Sequence, residues 1–228
     1  MSLLDGKMKN QVREALSGMK TDVELVVFKG GSLVIPGRDP TGEQRSTLQL
    51  LGEIAALSER VAVIERNLAG DEEAQRLGLD LAPTTLLRER GSERGNIRFI
   101  GFPGGYEFST LISTLQMLGG GDSGLKRASL ERLGEIETPV TLRSFVTPTC
   151  PHCPQAVLTA FSLAYHNPLV TAEGIEASEF PLLSQRNRIS GVPDTLISGE
   201  RDTRLLGAQP VHAFLDAVLQ ATSGATAA

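Results

Sequence analysis

Cysteine is scarce in this chain of 228 residues: there are two, Cys150 and Cys153, and they form a single C-x-x-C. None is left over for a structural framework, which excludes a disulfide-stapled secreted scaffold. Histidine is as thin, with only His152, His166 and His212. A basic excess is also missing. The 22 Lys and Arg stand against 27 Asp and Glu, a net charge of −5. A nucleic-acid binder needs a positive surface to meet the phosphates, so the balance argues against that class, although it leaves room for a local basic patch. No apolar run approaches the roughly 18 residues of a membrane span. The first twenty residues interleave Asp5, Lys7, Lys9, Arg13 and Glu14 with their apolar positions, so no signal-peptide core is expected there. What is present is 40% apolar residues, enough for a core, in a length that suits one large domain or two small ones.

Periodicity divides the chain into two similar halves. Leu4, Met8, Val12, Ala15, Leu16 and Met19 recur at helical spacing. A strand is expected at Val23 to Phe28, a Gly/Pro loop from Gly30 to Pro40, a helix from Leu48 to Leu57 and a strand at Val61 to Ile64. A short helix from Asp71 to Leu77 precedes Ala82-Pro83, and strands at Thr84 to Leu87 and Ile97 to Ile100 lead to a helix at Glu107 to Leu118. Gly119 to Gly124 reads as the most flexible stretch and as the boundary. The order then repeats: helix Leu125 to Gly134, strand Val140 to Val146, helix Pro151 to Tyr165, short strand Leu169 to Thr171 and weak helix Phe180 to Arg188. Val192-Pro193 follows, with strands Thr195 to Ile197 and Thr203 to Leu206 and a helix Val211 to Leu219. The tail from Thr222 to Ala228 is expected to fray. The chain is therefore an α/β protein built by duplication of about 110 residues, each copy a central mixed sheet flanked by helices. The expected division is 1–120 and 125–228.

The chemistry concentrates in Thr147-Pro148-Thr149-Cys150-Pro151-His152-Cys153-Pro154, between a strand and a helix. Pro151 suits the first helical position, which makes Cys150 the expected N-cap. Orphan N–H groups and the positive end of the dipole stabilise a thiolate there and make it nucleophilic. Cys153, one turn further in, is close enough to attack the Cys150 sulfur, so the pair can cycle between dithiol and disulfide. His152 can shift the redox poise, as can Pro151. The competing readings are half of a zinc site, for which His166 and His212 are the other histidines, or two incidental thiols in a binding protein. Asp194, directly after Pro193, either takes part at the site or, as is more usual for such a residue, is a surface charge, and His166 reads as a residue facing its helix's C-terminal dipole. Phe102-Pro103-Gly104-Gly105 lacks the G-x-G-x-x-G pattern and reads as a turn, not a phosphate loop.

The second half resembles thioredoxin-like and glutaredoxin-like proteins. The whole chain resembles the two-unit protein disulfide oxidoreductases, on Phe145 to Pro154, on Ile97-Arg98-Phe99-Ile100-Gly101-Phe102-Pro103-Gly104-Gly105-Tyr106-Glu107-Phe108, and on both Pro turns. The resemblance implies two tandem thioredoxin-like folds and thiol–disulfide oxidoreductase activity. It implies Cys150 as nucleophile and Cys153 as resolving thiol. Pro193, 43 residues after Cys150, has the spacing of the cis-proline that faces the dithiol in this fold. Thr149, Val192 and Pro193 then bind the client chain. Those oxidoreductases usually carry a C-x-x-C in each unit, whereas the matching stretch here is Asp39-Pro40-Thr41-Gly42-Glu43-Gln44, without cysteine. A buried acid about six residues before the first cysteine is expected of thioredoxins, and Ser144 stands there instead.

A tandem pair active only in its second unit is also similar to the N-terminal domain of the alkyl hydroperoxide reductase flavoprotein, which relays electrons to a peroxiredoxin. With no flavin domain in the sequence, the chain would act as a separate carrier. The partners implied are protein disulfides or dithiols, a thioredoxin-reductase-like donor and a peroxiredoxin. No nucleic acid, membrane, metal or cofactor beyond the redox disulfide is expected, and the expected location is the cytoplasm.

Overall fold

The computed structural model describes residues 2–31 and 40–223. Most of the expected Gly30 to Pro40 loop, Asp39 and the end of the tail lie outside them. In the first half the elements are α1 (Gly6–Leu16), β1 (Val23–Lys29), α2 (Pro40–Ala55), β2 (Val61–Asn67), α3 (Glu72–Arg76), β3 (Thr84–Glu89), β4 (Ile97–Ile100) and α4 (Glu107–Leu118). The second half runs α5 (Arg127–Leu133), β5 (Val140–Val146), α6 (Cys153–His166), β6 (Val170–Glu176), α7 (Pro181–Arg186), β7 (Asp194–Ser198), β8 (Thr203–Leu206) and α8 (Val211–Thr222). The order of elements is the same in both.

Two compact units result. The first comprises Met1–Pro103 and Leu111–Gly121, the second Gly104–Thr110 and Asp122–Ala228. In the first, β1 pairs in parallel with β2 and antiparallel with β3, and β3 pairs antiparallel with β4. The second repeats this with β5 parallel to β6 and antiparallel to β7, and β7 antiparallel to β8. Each unit contributes four strands of mixed parallel and antiparallel pairing, with helices packed on them. The central strands carry the core. Leu25, Val26, Val27 and Phe28 of β1 and Leu142 and Phe145 of β5 are fully buried, as are Phe161 of α6 and Phe214 of α8. A fully buried side chain of this size contributes roughly 1.5–3 kcal/mol.

Three sequence expectations change. Strand β6 is seven residues long, not three, because Glu173 sits directly opposite Arg143 and pairs with its guanidinium at 2.8 Å. This cross-strand ion pair lets a charged residue occupy a strand whose apolar pattern it interrupts. Helix α2 begins at Pro40, well before its apolar periodicity. The glycines after α4 are not a slack linker. Gly121 N–H donates to Gln116 O and Gly120 N–H to Met117 O, with Gly120 at φ 91°, a Schellman cap on α4. Gly119 O in turn accepts from the N–H groups of Lys20 and Thr21. Among the described residues no helix is long and apolar enough to cross a membrane.

Candidate active site

Cys150 and Cys153 are joined in a disulfide at the head of α6, with their Cα atoms 5.5 Å apart. Strand β5 ends at Val146 and the chain turns through Thr147 to His152, where Cys150 N–H donates to Thr147 O and Cys153 N–H to Cys150 O. The helix starts later than expected. His152 is its N-cap, with Pro154 in the first turn, so Cys150 lies in the turn ahead of the helix and Pro151 does not open it. Pro154, the second helical residue, is tolerated there because its missing N–H falls among the donors that have no helical partner. Cys153, inside the helix, is completely buried, while Cys150 is half-buried. Pro151, His152 and Thr149 are exposed around it.

The Pro193 loop closes on this turn. The Val192–Pro193 bond is cis, as is Ala82–Pro83. The carbonyl oxygen of Val192 lies 3.7 Å from Cys150 Sγ. Val192 is half-buried and Pro193 buried. The structure thus brings Cys150, Cys153 and Val192 together.

Asp194 is not a surface charge. It is fully buried, and its carboxylate accepts from both Nε and Nη2 of Arg204. This bond holds the Arg204 guanidinium above its ordinary pKa. His166 ends α6, as its sequence position indicates, with its Nε2 2.7 Å from Ser123 Oγ. At the position where thioredoxins keep an acid, Ser144 is buried and hydrogen-bonded to Thr195 at 2.9 Å.

A buried acid exists elsewhere in the same unit. Segment Gly104–Thr110 clusters with the second unit, and Tyr106 N–H donates to Pro148 O at 2.9 Å, two residues before Cys150. Gly105 adopts φ 60°, and a Cβ there would overlap the Pro148 carbonyl, so the close approach requires glycine. Next to Tyr106, Glu107 is 2% exposed, and its carboxyl group is buried with Thr110 as its one polar neighbour of note. Burial pushes its pKa up to about 7, against a smaller opposing effect of Thr110. The sequence signal for Glu107 is weak, because an acid in the first turn of a helix is ordinary at the surface. Among the described residues, no group of three or more His, Cys, Asp or Glu side chains could hold a metal ion.

Comparison with known proteins agrees with this geometry. The thioredoxin-domain family model matches residues 142–220. An alkyl hydroperoxide reductase subunit of Staphylococcus epidermidis is 26% identical over 198 residues, 87% of this chain and 34% of that protein. The same subunit of Escherichia coli gives the same figures. The chain thus spans about a third of the length of these curated relatives. Among solved structures, a protein disulfide oxidoreductase from Aeropyrum pernix superposes with a TM-score of 0.83 at 26% identity, covering 97% of this chain and 95% of that one. An Enterococcus faecalis alkylhydroperoxide reductase subunit, 24% identical, shares the fold with a TM-score of 0.79 over 94% of this chain and 99% of that one. The chain thus carries two thioredoxin-like folds in tandem, one with a C-x-x-C disulfide at the head of its helix, and in this it is similar to the Aeropyrum pernix protein.

Proposed function

We propose that the chain exchanges disulfides with protein clients through Cys150 and Cys153. On this reading 125–228 is the active domain and 1–120 a partner domain without redox cysteines. The observation that carries it is the asymmetry of the pair: the half-buried Cys150 sulfur lies beside the Val192 backbone while Cys153 is sealed beneath it. In the reducing direction the Cys150 thiolate attacks one sulfur of a client disulfide. The client S–S bond breaks, a mixed disulfide forms and one client thiolate leaves. The Cys153 thiolate then attacks Cys150 Sγ, closing the Cys150–Cys153 bond and expelling the second client thiolate. Client disulfide and protein dithiol become client dithiol and protein disulfide, and a thioredoxin-reductase-like donor returns two electrons. The reverse sequence oxidises a client dithiol.

In this scheme Thr149, Val192 and Pro193 contact the client backbone, and Pro151 and His152 tune the couple. The alignment with alkyl hydroperoxide reductase subunits over 87% of the chain favours one specific second reading, a carrier of electrons to a peroxiredoxin. Having its only cysteines in an exchange pair supports a role in cytoplasmic redox homeostasis. The test is insulin reduction by the dithiol form, run beside peroxide turnover with a peroxiredoxin. Reduction of neither substrate, with Cys150 and Cys153 intact, overturns the proposal.

A further inference from the structure

Exchange chemistry makes no use of Arg204, yet this side chain has an unusual set of partners. It stands on β8 opposite Leu196 of β7. One edge of its guanidinium grips both oxygens of the Asp194 carboxylate, the residue after Pro193. Its Nη1 donates to Asn187 O at 3.3 Å and its Nη2 to Arg188 O at 3.0 Å. Asn187 caps α7, and Arg188, at φ 55°, is the only non-glycine residue with positive φ among the described residues. A single guanidinium therefore ties the start of the segment 187–193 to the residue that follows its end. Val192 lies inside that segment, its carbonyl beside the Cys150 sulfur.

The first unit supplies a comparison. Thr84 follows Pro83 as Asp194 follows Pro193, and Arg98 stands on β4 opposite Leu86 as Arg204 stands opposite Leu196. Arg98 also reaches the end of the preceding short helix, donating to Leu77 O at 3.1 Å, and to Gly95 O. The arginine–carbonyl brace is thus common to both units, whereas the buried carboxylate belongs to the unit with the cysteines. Thr84 satisfies its hydroxyl locally on Leu81 O. Burying a carboxylate and pairing it with arginine is weak evidence of a gain in stability, since desolvation offsets the attraction. The threonine at the equivalent position avoids that cost. What the bidentate pair adds is a fixed geometry.

We infer that Asp194 and Arg204 are positioning residues for disulfide exchange, locking the 187–193 loop so that the Val192 backbone is held against Cys150 and presented to the client chain. This rests on the reading of Cys150 as the nucleophile. A reduced Cys150 can donate its S–H to the Val192 carbonyl, whereas a thiolate cannot. A carbonyl held there therefore favours the thiol form, and a loosened loop favours the thiolate.

The experiment uses the full chain and compares Arg204→Gln, Arg204→Lys and Arg98→Gln. KM and kcat are measured on a protein disulfide, and the Cys150 pKa from the pH dependence of its alkylation. For Arg204→Gln the expected result is a KM about fivefold higher with kcat within twofold, and a Cys150 pKa lower by about half a unit. Arg204→Lys keeps a charge for Asp194 but cannot span the two carbonyls, so it shows the same rise in KM. It carries the test if the glutamine variant does not fold. Arg98→Gln lowers thermal stability and leaves both readouts at wild-type values. The inference is overturned if the Arg204 variants keep wild-type KM and pKa, or if Arg98→Gln moves them equally. Failure of the wild-type chain to reduce any disulfide would overturn the functional reading instead. The alkylation pKa then still tests the positioning on its own.

Discussion

The two units share a backbone plan down to individual hydrogen bonds but differ in the side chains set on it. At the end of α3, Leu79 N–H donates to Ala74 O at 2.9 Å, and at the end of α7, Ile189 N–H donates to Ser184 O at the same distance. Gly101 N–H meets Pro83 O at 2.9 Å, and Gly207 N–H meets Pro193 O at 2.8 Å. These capping and turn contacts set the fold, and they persist in a unit with no cysteine. The proposed exchange calls on much less: a C-x-x-C turn, the Val192 carbonyl and the braced loop behind it. The thioredoxin-like scaffold thus forms without the exchange residues, which on the proposed reading are a few side chains added at one end of a sheet.

The largest test of this contrast removes the added side chains. Cys150→Ser is expected to take insulin reduction to background, and Cys153→Ser to accumulate a mixed disulfide through Cys150 that non-reducing gels resolve. Thermal unfolding of the reduced proteins should move little, because the scaffold contacts remain. Equal trapping by both variants would show that the assigned roles are wrong.

Glu107 sharpens the contrast, since it follows the first sheet in sequence but clusters with the second unit. Its folded-state pKa is about 7, against an ordinary value of 4.5. Between those values the folded protein holds a proton that the unfolded chain has released. Stability is therefore full below pH 4.5 and falls as the pH rises towards 7, by up to about 3 kcal/mol. Glu107→Gln should abolish that slope. The variant would match the wild type at pH 4 and exceed it at pH 8 in urea denaturation. Parallel pH profiles would show that Glu107 ionises without penalty.

Gly105→Ala is expected to cost about 2 kcal/mol, because it combines a left-handed φ with overlap on the Pro148 carbonyl. The urea midpoint reads the loss, and the same variant should slow insulin reduction by displacing the turn that carries Cys150. A loss of stability with unchanged turnover would separate the Gly104–Thr110 segment from the active turn.

Much of this is legible in the sequence wherever one residue type has a narrow physical use. The C-x-x-C, both Pro turns and the alternation of strands and helices need no tertiary information. Sequence reasoning fails where a tertiary partner changes the meaning of a residue. Glu173 interrupts an apolar strand until Arg143 is placed opposite it. Asp194 looks like a surface charge until Arg204, ten residues on, folds back as its partner. Cys150 reads as a helix N-cap because Pro151 and Pro154 both suit a helix start, and only the backbone distinguishes them. Glu107 carries no local mark of burial, since the segment that buries it packs with elements distant in sequence.

The smallest expected effect tests the equivalence of the two short-helix ends. Gly78 at φ 63° and Arg188 at φ 55° occupy the same left-handed position after α3 and α7. A non-glycine residue there is disfavoured by roughly 1–2 kcal/mol, while glycine loses about 0.5–1 kcal/mol more in chain entropy on folding. Arg188→Gly should therefore stabilise the protein by about 0.5–1 kcal/mol, and Gly78→Arg should destabilise it by a similar amount. The Arg188 carbonyl that accepts from Arg204 belongs to the backbone and survives the change to glycine. KM for a protein disulfide should accordingly stay at its wild-type value while the denaturation midpoint rises. A midpoint that falls instead would mean that the Arg188 side chain, and not its backbone alone, holds the loop beside Cys150, and the correspondence between the two units would end at that residue.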